Sequence, residues 1–348
     1  MKPRFTGTVS TGTAGTWMRN AATVLAASIF TAGAAHAQQF TMKLSSPTIN
    51  DVQHEWMKAF KAGVESRAGS RIKVEIYPAN QLGQIPRTVE GVALGTIELT
   101  APAVGFLIGL EPRFEVFDAP GLFDNVRHGQ AVLSDPEIRK RVATFGATKG
   151  VEPLYMFMNG PLMLLSHKPV RTLADFKGQK IRVPGPAPLH IEPFRKLGAS
   201  PVSMPLGEAL PAMQNRTIDG SIASFSVFTA FKYYDIAKGL TQLPKSFLVA
   251  AGLVNRNFMK SLGPELEGIV RYEARKAESV FSNWGVDEVD RIRRNWEQNG
   301  GQTITLSPAE ANRYVEDVTA AIVPILAKNP QHREDYEALL AASKKYRK

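Results

Sequence analysis

Residues 173–184 read Leu173-Ala174-Asp175-Phe176-Lys177-Gly178-Gln179-Lys180-Ile181-Arg182-Val183-Pro184, followed by Leu197-Gly198-Ala199-Ser200-Pro201 and then Ile218-Asp219-Gly220. The pattern predicts a short strand over Lys180 to Val183, a turn at Pro184-Gly185-Pro186, a helix and a second strand. That is a βαβ unit, and it places the chain in the α/β class. Arg182 stands at the carboxyl end of the first strand, where open α/β sheets place their ligands.

Upstream of this unit, strand and helix patterns alternate. Phe40 to Ser45 and Arg71 to Tyr77 alternate apolar and polar residues as strands do, and between them Trp56, Phe60 and Val64 fall at helical spacing. Asn50 or Asp51 is placed to cap that helix. A helix is expected from about Pro86 to Leu94, stopped by Gly95, then a strand over Ile97 to Ala101. After a turn-rich passage and two short helices, a strand over Pro153 to Met158 meets Asn159-Gly160-Pro161, which reads as a break between two lobes.

Downstream of the opening stretch, Phe225, Phe228 and Phe231 lie three apart and would share one helical face, for which core packing is the simplest use. Phe247 to Val254 is a strongly apolar strand suited to carry the chain back to the first lobe. From Gly263-Pro264 to Trp296, apolar residues recur at steps near 3.6, which predicts one helix of some 33 residues, about 50 Å long and able to lie across both lobes. Gln302 to Leu306 is an expected strand, and Ser307-Pro308-Ala309-Glu310 a capping box.

The chain has 348 residues, enough for two lobes, and 44% are apolar, as in globular proteins. Its first 37 residues read as a secretory leader: Lys2, Arg4 and Arg19 without an acid, a small apolar run from Ala21 to Ala35, and Ala35-His36-Ala37 as the cleavage site. A start at Met18 would make the leader more compact. The apolar run is shorter than the roughly 20 residues of a membrane span. Removing the leader takes three of the 42 basic residues and none of the 32 acidic ones, leaving a net charge of +7. Those basic residues are scattered among acids, not striped with aromatics, which argues against nucleic acid. The chain has no Cys, which excludes disulfides, thiolate metal sites and Cys nucleophiles.

Signatures of catalysis are scarce. The six His, at 36, 54, 128, 167, 190 and 332, form no His-x3-His or His-Glu-x2-His pair, and there is no Gly-x-Ser-x-Gly elbow or phosphate-binding glycine loop. Asp219 and Glu208 read as caps or solvated charges. Arg182 is the candidate with a physical argument, because a guanidinium fork matches a carboxylate with two parallel hydrogen bonds. Spacing alone leaves open whether that carboxylate belongs to a ligand or to a neighbouring acid of the protein.

The order and spacing of Leu44-Ser45-Ser46-Pro47, Tyr77-Pro78, Gln81-Leu82-Gly83, Gly95-Thr96-Ile97, Pro120-Gly121-Leu122-Phe123 and the opening stretch resemble the solute-binding proteins of tripartite ATP-independent periplasmic (TRAP) transporters, of the dicarboxylate-binding type. The resemblance implies a two-lobed periplasmic binding protein fold, type II-like, with a cleft between α/β lobes and a long helix spanning them. Its lobes would be 38–158 with about 247–287, and 159–246 with about 288–348. It further implies that Arg182 clamps the carboxylate of an organic acid and that the lobes close around it.

Positions that are polar or aromatic in many such proteins are apolar here: Leu162, Ala223, Ala103 and Leu206. A polyhydroxylated sugar acid is therefore a poor fit. What remains is Arg182 with Ser46, Gln84, Asn159 and Ser224 as small polar groups and Phe225 and Phe106 as walls. The expected ligand is a small organic monocarboxylate, aromatic or partly apolar. It would be bound without cofactor or metal by a monomeric periplasmic protein and passed to the TRAP membrane subunits. A secreted sensor, or an enzyme acting on a carboxylate, is the alternative.

Overall fold

The computed structural model describes residues 39–347 apart from 284–286, together with residues 1, 3, 4 and 6–8. The apolar run and cleavage site of the expected leader lie outside the described residues.

Strand β1 (Phe40–Ser45) is followed by α1 (Val52–Ala68), β2 (Ile72–Tyr77), α2 (Ile85–Leu94) and the two-residue β3 (Leu99–Thr100). Helix α1 starts where the sequence places a cap: Asp51 Oδ1 accepts the His54 N–H at 3.0 Å. Helix α2 ends on Gly95 at φ +77°, a conformation glycine adopts without strain. β3 is shorter than the expected Ile97–Ala101 because the Glu98 side chain takes the Lys43 N–H at 2.8 Å, displacing a ladder bond.

Two 3₁₀ turns, Val104–Phe106 and Pro112–Asp118, and the short helices α3 (Val126–Leu133) and α4 (Pro136–Val142) lead into β4 (Val151–Ser166). The second half of the chain runs β5 (Lys180–Val183), α5 (Pro188–Lys196), β6 (Ser200–Ser203), α6 (Leu206–Gln214), β7 (Gly220–Ser224), α7 (Phe225–Ala230) and β8 (Gly239–Asn255). It continues with α8 (Arg256–Ser261), α9 (Gly263–Ala277), α10 (Ser279–Asn283), α11 (Asp287–Gln298), β9 (Gln302–Ile304), α12 (Pro308–Lys328) and α13 (Pro330–Tyr346). β6 follows the helix after β5 and pairs with β5 in parallel, completing a βαβ unit.

The strand order is β2-β1-β3-β8-β4-β7-β5-β6, with β9 beside β8. β2-β1-β3 is a parallel triple, and so is β6-β5-β7. They are joined through β4 and β8, which run antiparallel to each other across both. Each triple has its own core: Met42, Trp56, Phe60 and Val270 belong to the first, and Phe176, Ile181, Ile222 and Tyr314 to the second. The result is a two-lobed α/β protein.

The break expected at Asn159-Gly160-Pro161 is a distortion within a strand. β4 passes through it with register shifts at Met158/Gly160 and Pro161/Met163, where Gly160 sits at φ +147° and Pro161 has no N–H to give the ladder. Opposite it, β8 bulges around Lys245 at φ +47°. Both crossover strands therefore loosen at one level, between the lobes.

Two further expectations are corrected. The helix read from Gly263 to Trp296 is not one rod: it is interrupted at Glu278, whose N–H bonds back three residues to Arg275 O, and Trp284 lies outside the described residues. Helix α13, expected with the second lobe, packs on α3, α4 and the Pro112–Asp118 turn. Ser343 Oγ donates to Leu122 O at 2.6 Å, Lys345 Nζ reaches Asp135 at 2.8 Å, and Leu339 is buried there.

Candidate functional site

The carboxyl ends of β1, β3, β5 and β7 converge on a cavity of about 40 Å³. Thr48 follows β1, Ala101 and Ala103 follow β3, Arg182 and Pro184 end β5, and Ala223 is near the end of β7. The crossover strands supply Asn159, Leu248 and Ala250, and the helices α1 and α6 contribute Gln53 and Leu206. Each parallel triple thus presents its carboxyl edge to the other, the place where open α/β sheets bind ligands.

Arg182 is 1% exposed. Nε donates to Met204 O at 2.9 Å and Nη1 to Ile222 O at 2.8 Å, bonds that fix the plane of the fork from behind. Among the described residues no carboxylate lies within 4 Å of it. The salt bridge that spacing left open is therefore not formed. Burial lowers the Arg182 pKa to about 10, and the Tyr233 phenol nearby opposes that shift, so the group is cationic at neutral pH. Burial likewise pushes Tyr233 up to about 12, opposed by Arg182. A buried, immobilised cation without a counter-ion is costly and needs an anion to compensate it.

The wall facing Arg182 is partly polar. Asn159 lines the cavity, and its Oδ1 is buried without a hydrogen-bond partner. Asp51 does not line the cavity but is fully buried at the start of α1; one oxygen caps the helix, the other has no partner among the described residues, and desolvation raises its pKa. Thr48 and Gln53 add two more polar side chains, and the rest of the lining includes the apolar Ala103, Phe106, Leu206, Ala223 and Leu248.

Of the residues singled out from sequence, Arg182, Asn159, Ala103, Leu206, Ala223 and Phe106 come together around the cavity. Five others do not line it. Ser46 is held in the turn after β1, taking the Gln53 Nε2–H at 2.6 Å and the Thr48 N–H at 3.1 Å, so it orients Gln53 and Thr48 from behind. Gln84 precedes α2 and lies against Gly207, where a Cβ would collide with its amide. Leu162 belongs to the same buried cluster as Ala103 and Leu248, one layer back. Ser224 is buried with its Oγ 3.1 Å from Ser226 Oγ. Phe225 packs edge-on to Trp296 at 6.3 Å, in the core role simplest for that phenylalanine row.

Thr48, Gln53, Leu248 and Ala250 escape sequence reasoning, because they are ordinary residue types brought in by a turn, a helix face and a crossover strand. Asp219 is structural: its Oδ2 accepts the Lys180 N–H at 2.7 Å.

Two facing α/β lobes with crossover strands and a buried cation at their junction define the class of two-lobed binding proteins. Residues 45–329 match the DctP family, described as bacterial extracellular solute-binding protein, family 7, and the chain belongs to it. The 2,3-diketo-L-gulonate-binding periplasmic protein YiaO of Escherichia coli is 27% identical over 256 residues, 73% of this chain and 77% of that protein. A TRAP periplasmic solute binding protein from Desulfovibrio salexigens, solved with orotic acid, has a TM-score of 0.83 at 23% identity, covering 89% of this chain and 100% of that one. Another, from a Bordetella species and with density assigned to pantoate, has a TM-score of 0.79 at 25% identity over 87% and 99% of the two chains.

Proposed function

We propose that this protein is the periplasmic solute-binding subunit of a TRAP transporter and takes a small, partly apolar organic monocarboxylate into the cleft. Closure buries the acid on Arg182, and the loaded protein, a monomer exported on its leader, delivers it to the membrane subunits. The observation that carries this reading is Arg182 itself: buried, held by backbone carbonyls and, among the described residues, without a carboxylate of its own. The apolar lining argues for a ligand with one charged end and a body that selects by shape. The pantoate named for one relative is likewise a monocarboxylate with an apolar body, whereas the diketogulonate named for another is a sugar acid.

A thermal-shift screen of small organic acids tests it. The expected result is stabilisation by one or a few partly apolar monocarboxylates, lost in Arg182→Ala; a hit that Arg182→Ala binds with unchanged affinity would refute the clamp. Incubating the hit with the protein and weighing it by mass spectrometry separates binding from turnover.

A further inference from the structure

Behind the cavity, a second cluster joins the lobes. Asp118, in the turn that follows Gly105 and precedes α3, has a fully buried side chain, and His190, in the first turn of α5, is 3% exposed. Asp118 Oδ2 is 3.3 Å from His190 Nδ1, which also lies 3.1 Å from Pro184 O. The 3.3 Å approach is not aligned as a hydrogen bond: among the described residues neither Asp118 oxygen nor His190 Nε2 has a hydrogen-bond partner.

Around the pair, the two chains touch backbone to backbone. A Cβ on Gly185 would fall 2.5 Å from the Gly105 carbonyl carbon, and one on Gly105 would fall 2.9 Å from Pro184 O. Asp118 and Gly105 follow β3 of one triple, while Pro184, Gly185 and His190 follow β5 of the other. A motion that parted the two triples would separate them.

The geometry points to Asp118 and His190 as a proton-linked clasp: positioning residues that seat the end of β5, and with it Arg182, against the opposite lobe only when they share a proton. This rests on reading the chain as a binding protein that closes. In the open form, above about pH 6.5, a hydrated Asp is ionised and a hydrated His neutral, so together they carry no proton. Shut away from water, a carboxylate beside a neutral imidazole is an uncompensated buried charge, so the closed pair carries one proton whichever partner holds it.

Burial pushes the Asp118 carboxyl well up, as does the Glu115 charge, and burial lowers His190 to about 4, opposed by its bond to Pro184 and helped by Arg182. Both directions put the proton on Asp118. The groups that face the pair are Glu115 on the same turn, Arg182 on β5 and, through Glu115, His332 on α13. Glu115 Oε1 accepts the Leu189 N–H at 2.9 Å, and Oε2 is 3.8 Å from His332 Nδ1.

Closure therefore takes up about one proton above pH 6.5 and none between about 4 and 6.5, so the closed-to-open ratio falls by up to about ten-fold per pH unit on the alkaline side. The chain has no native Cys, so spin labels on Lys58→Cys and Lys196→Cys, both exposed, report lobe separation cleanly. The ratio is measured from pH 6 to 9, without ligand and with excess pantoate. In the protein with native Asp118 and His190 it is expected to decline with pH, and Asp118→Asn or His190→Gln is expected to flatten the profile. A ratio constant across that range in both conditions, or an unchanged slope in the folded variants, overturns the clasp. Calorimetric binding of pantoate at pH 6 is read separately, and its failure bears on the ligand class and not on the clasp.

Discussion

Replacing Arg182 with Met separates the requirements of function from those of stability. Burial lowers the Arg182 pKa to about 10, so the fold carries the charged guanidinium at a cost on the order of 3 kcal/mol. The sign follows from the depressed pKa of a base: the cost is present wherever the unfolded guanidinium is charged, which includes all of the neutral range. Against it stand the bonds to Met204 O and Ile222 O, and stranding each carbonyl costs about 1 kcal/mol. Ligand-free Arg182→Met is thus expected to be as stable as the native protein or up to about 1 kcal/mol more stable, a rise of roughly 2 °C in Tm. Carboxylate binding should weaken by about 2 to 5 kcal/mol, roughly thirty-fold to several-thousand-fold. Differential scanning calorimetry and titration calorimetry on the same preparations measure both. A ligand-free variant that melts many degrees lower, as if a structural ion pair had been cut, would refute the reasoning, and so would retained affinity.

Three other substitutions probe the cleft. Gly185→Ala, at φ +92° with the Gly105 backbone 2.5 Å from the added carbon, should hold the lobes apart: circular dichroism unchanged, radius of gyration larger in small-angle scattering, affinity reduced. Ala223→Leu should abolish binding without unfolding, since a side chain three carbons larger cannot share a cavity of about 40 Å³ with an acid; thermal shift with the screened hit reads this. Asp51→Asn keeps the α1 cap and removes a carboxyl whose pKa is raised chiefly by burial. Because a raised carboxyl pKa makes the charged form the costly one, the variant should gain stability at pH 7, and the gain should fade as pH falls toward the native carboxyl's own titration. Urea unfolding at both ends of that range checks it.

Local pattern reached far into this molecule because its elements obey local rules. The alternation in Phe40 to Ser45, the Asp51 cap, the Gly95 stop and the βαβ unit around Arg182 are set by residues within a turn or two of one another. Asn159-Gly160-Pro161 is legible as a discontinuity, which the structure carries as register shifts inside one continuous strand. The pairing of β4 with β8 over 16 and 17 residues outweighs a local break, and nothing in the triplet reports its distant partner. The Gly263 to Trp296 periodicity likewise hides a tightened turn at Glu278, where Arg139 from α4 meets the carboxylate.

The site divides along the same line. Sequence by itself determined that an arginine ends β5, that the residues at 103, 206 and 223 are apolar, and which family carries that arrangement. Tertiary structure decided that Arg182 meets no acid among the described residues, that Ser46 works from behind while Thr48 and Gln53 face the cavity, and that Asp118 meets His190. Those facts depend on chain segments some 70 to 140 residues apart being brought within a few ångströms. Burial, which sets the charge of every group involved, belongs to the folded lobes together and to no stretch of sequence alone.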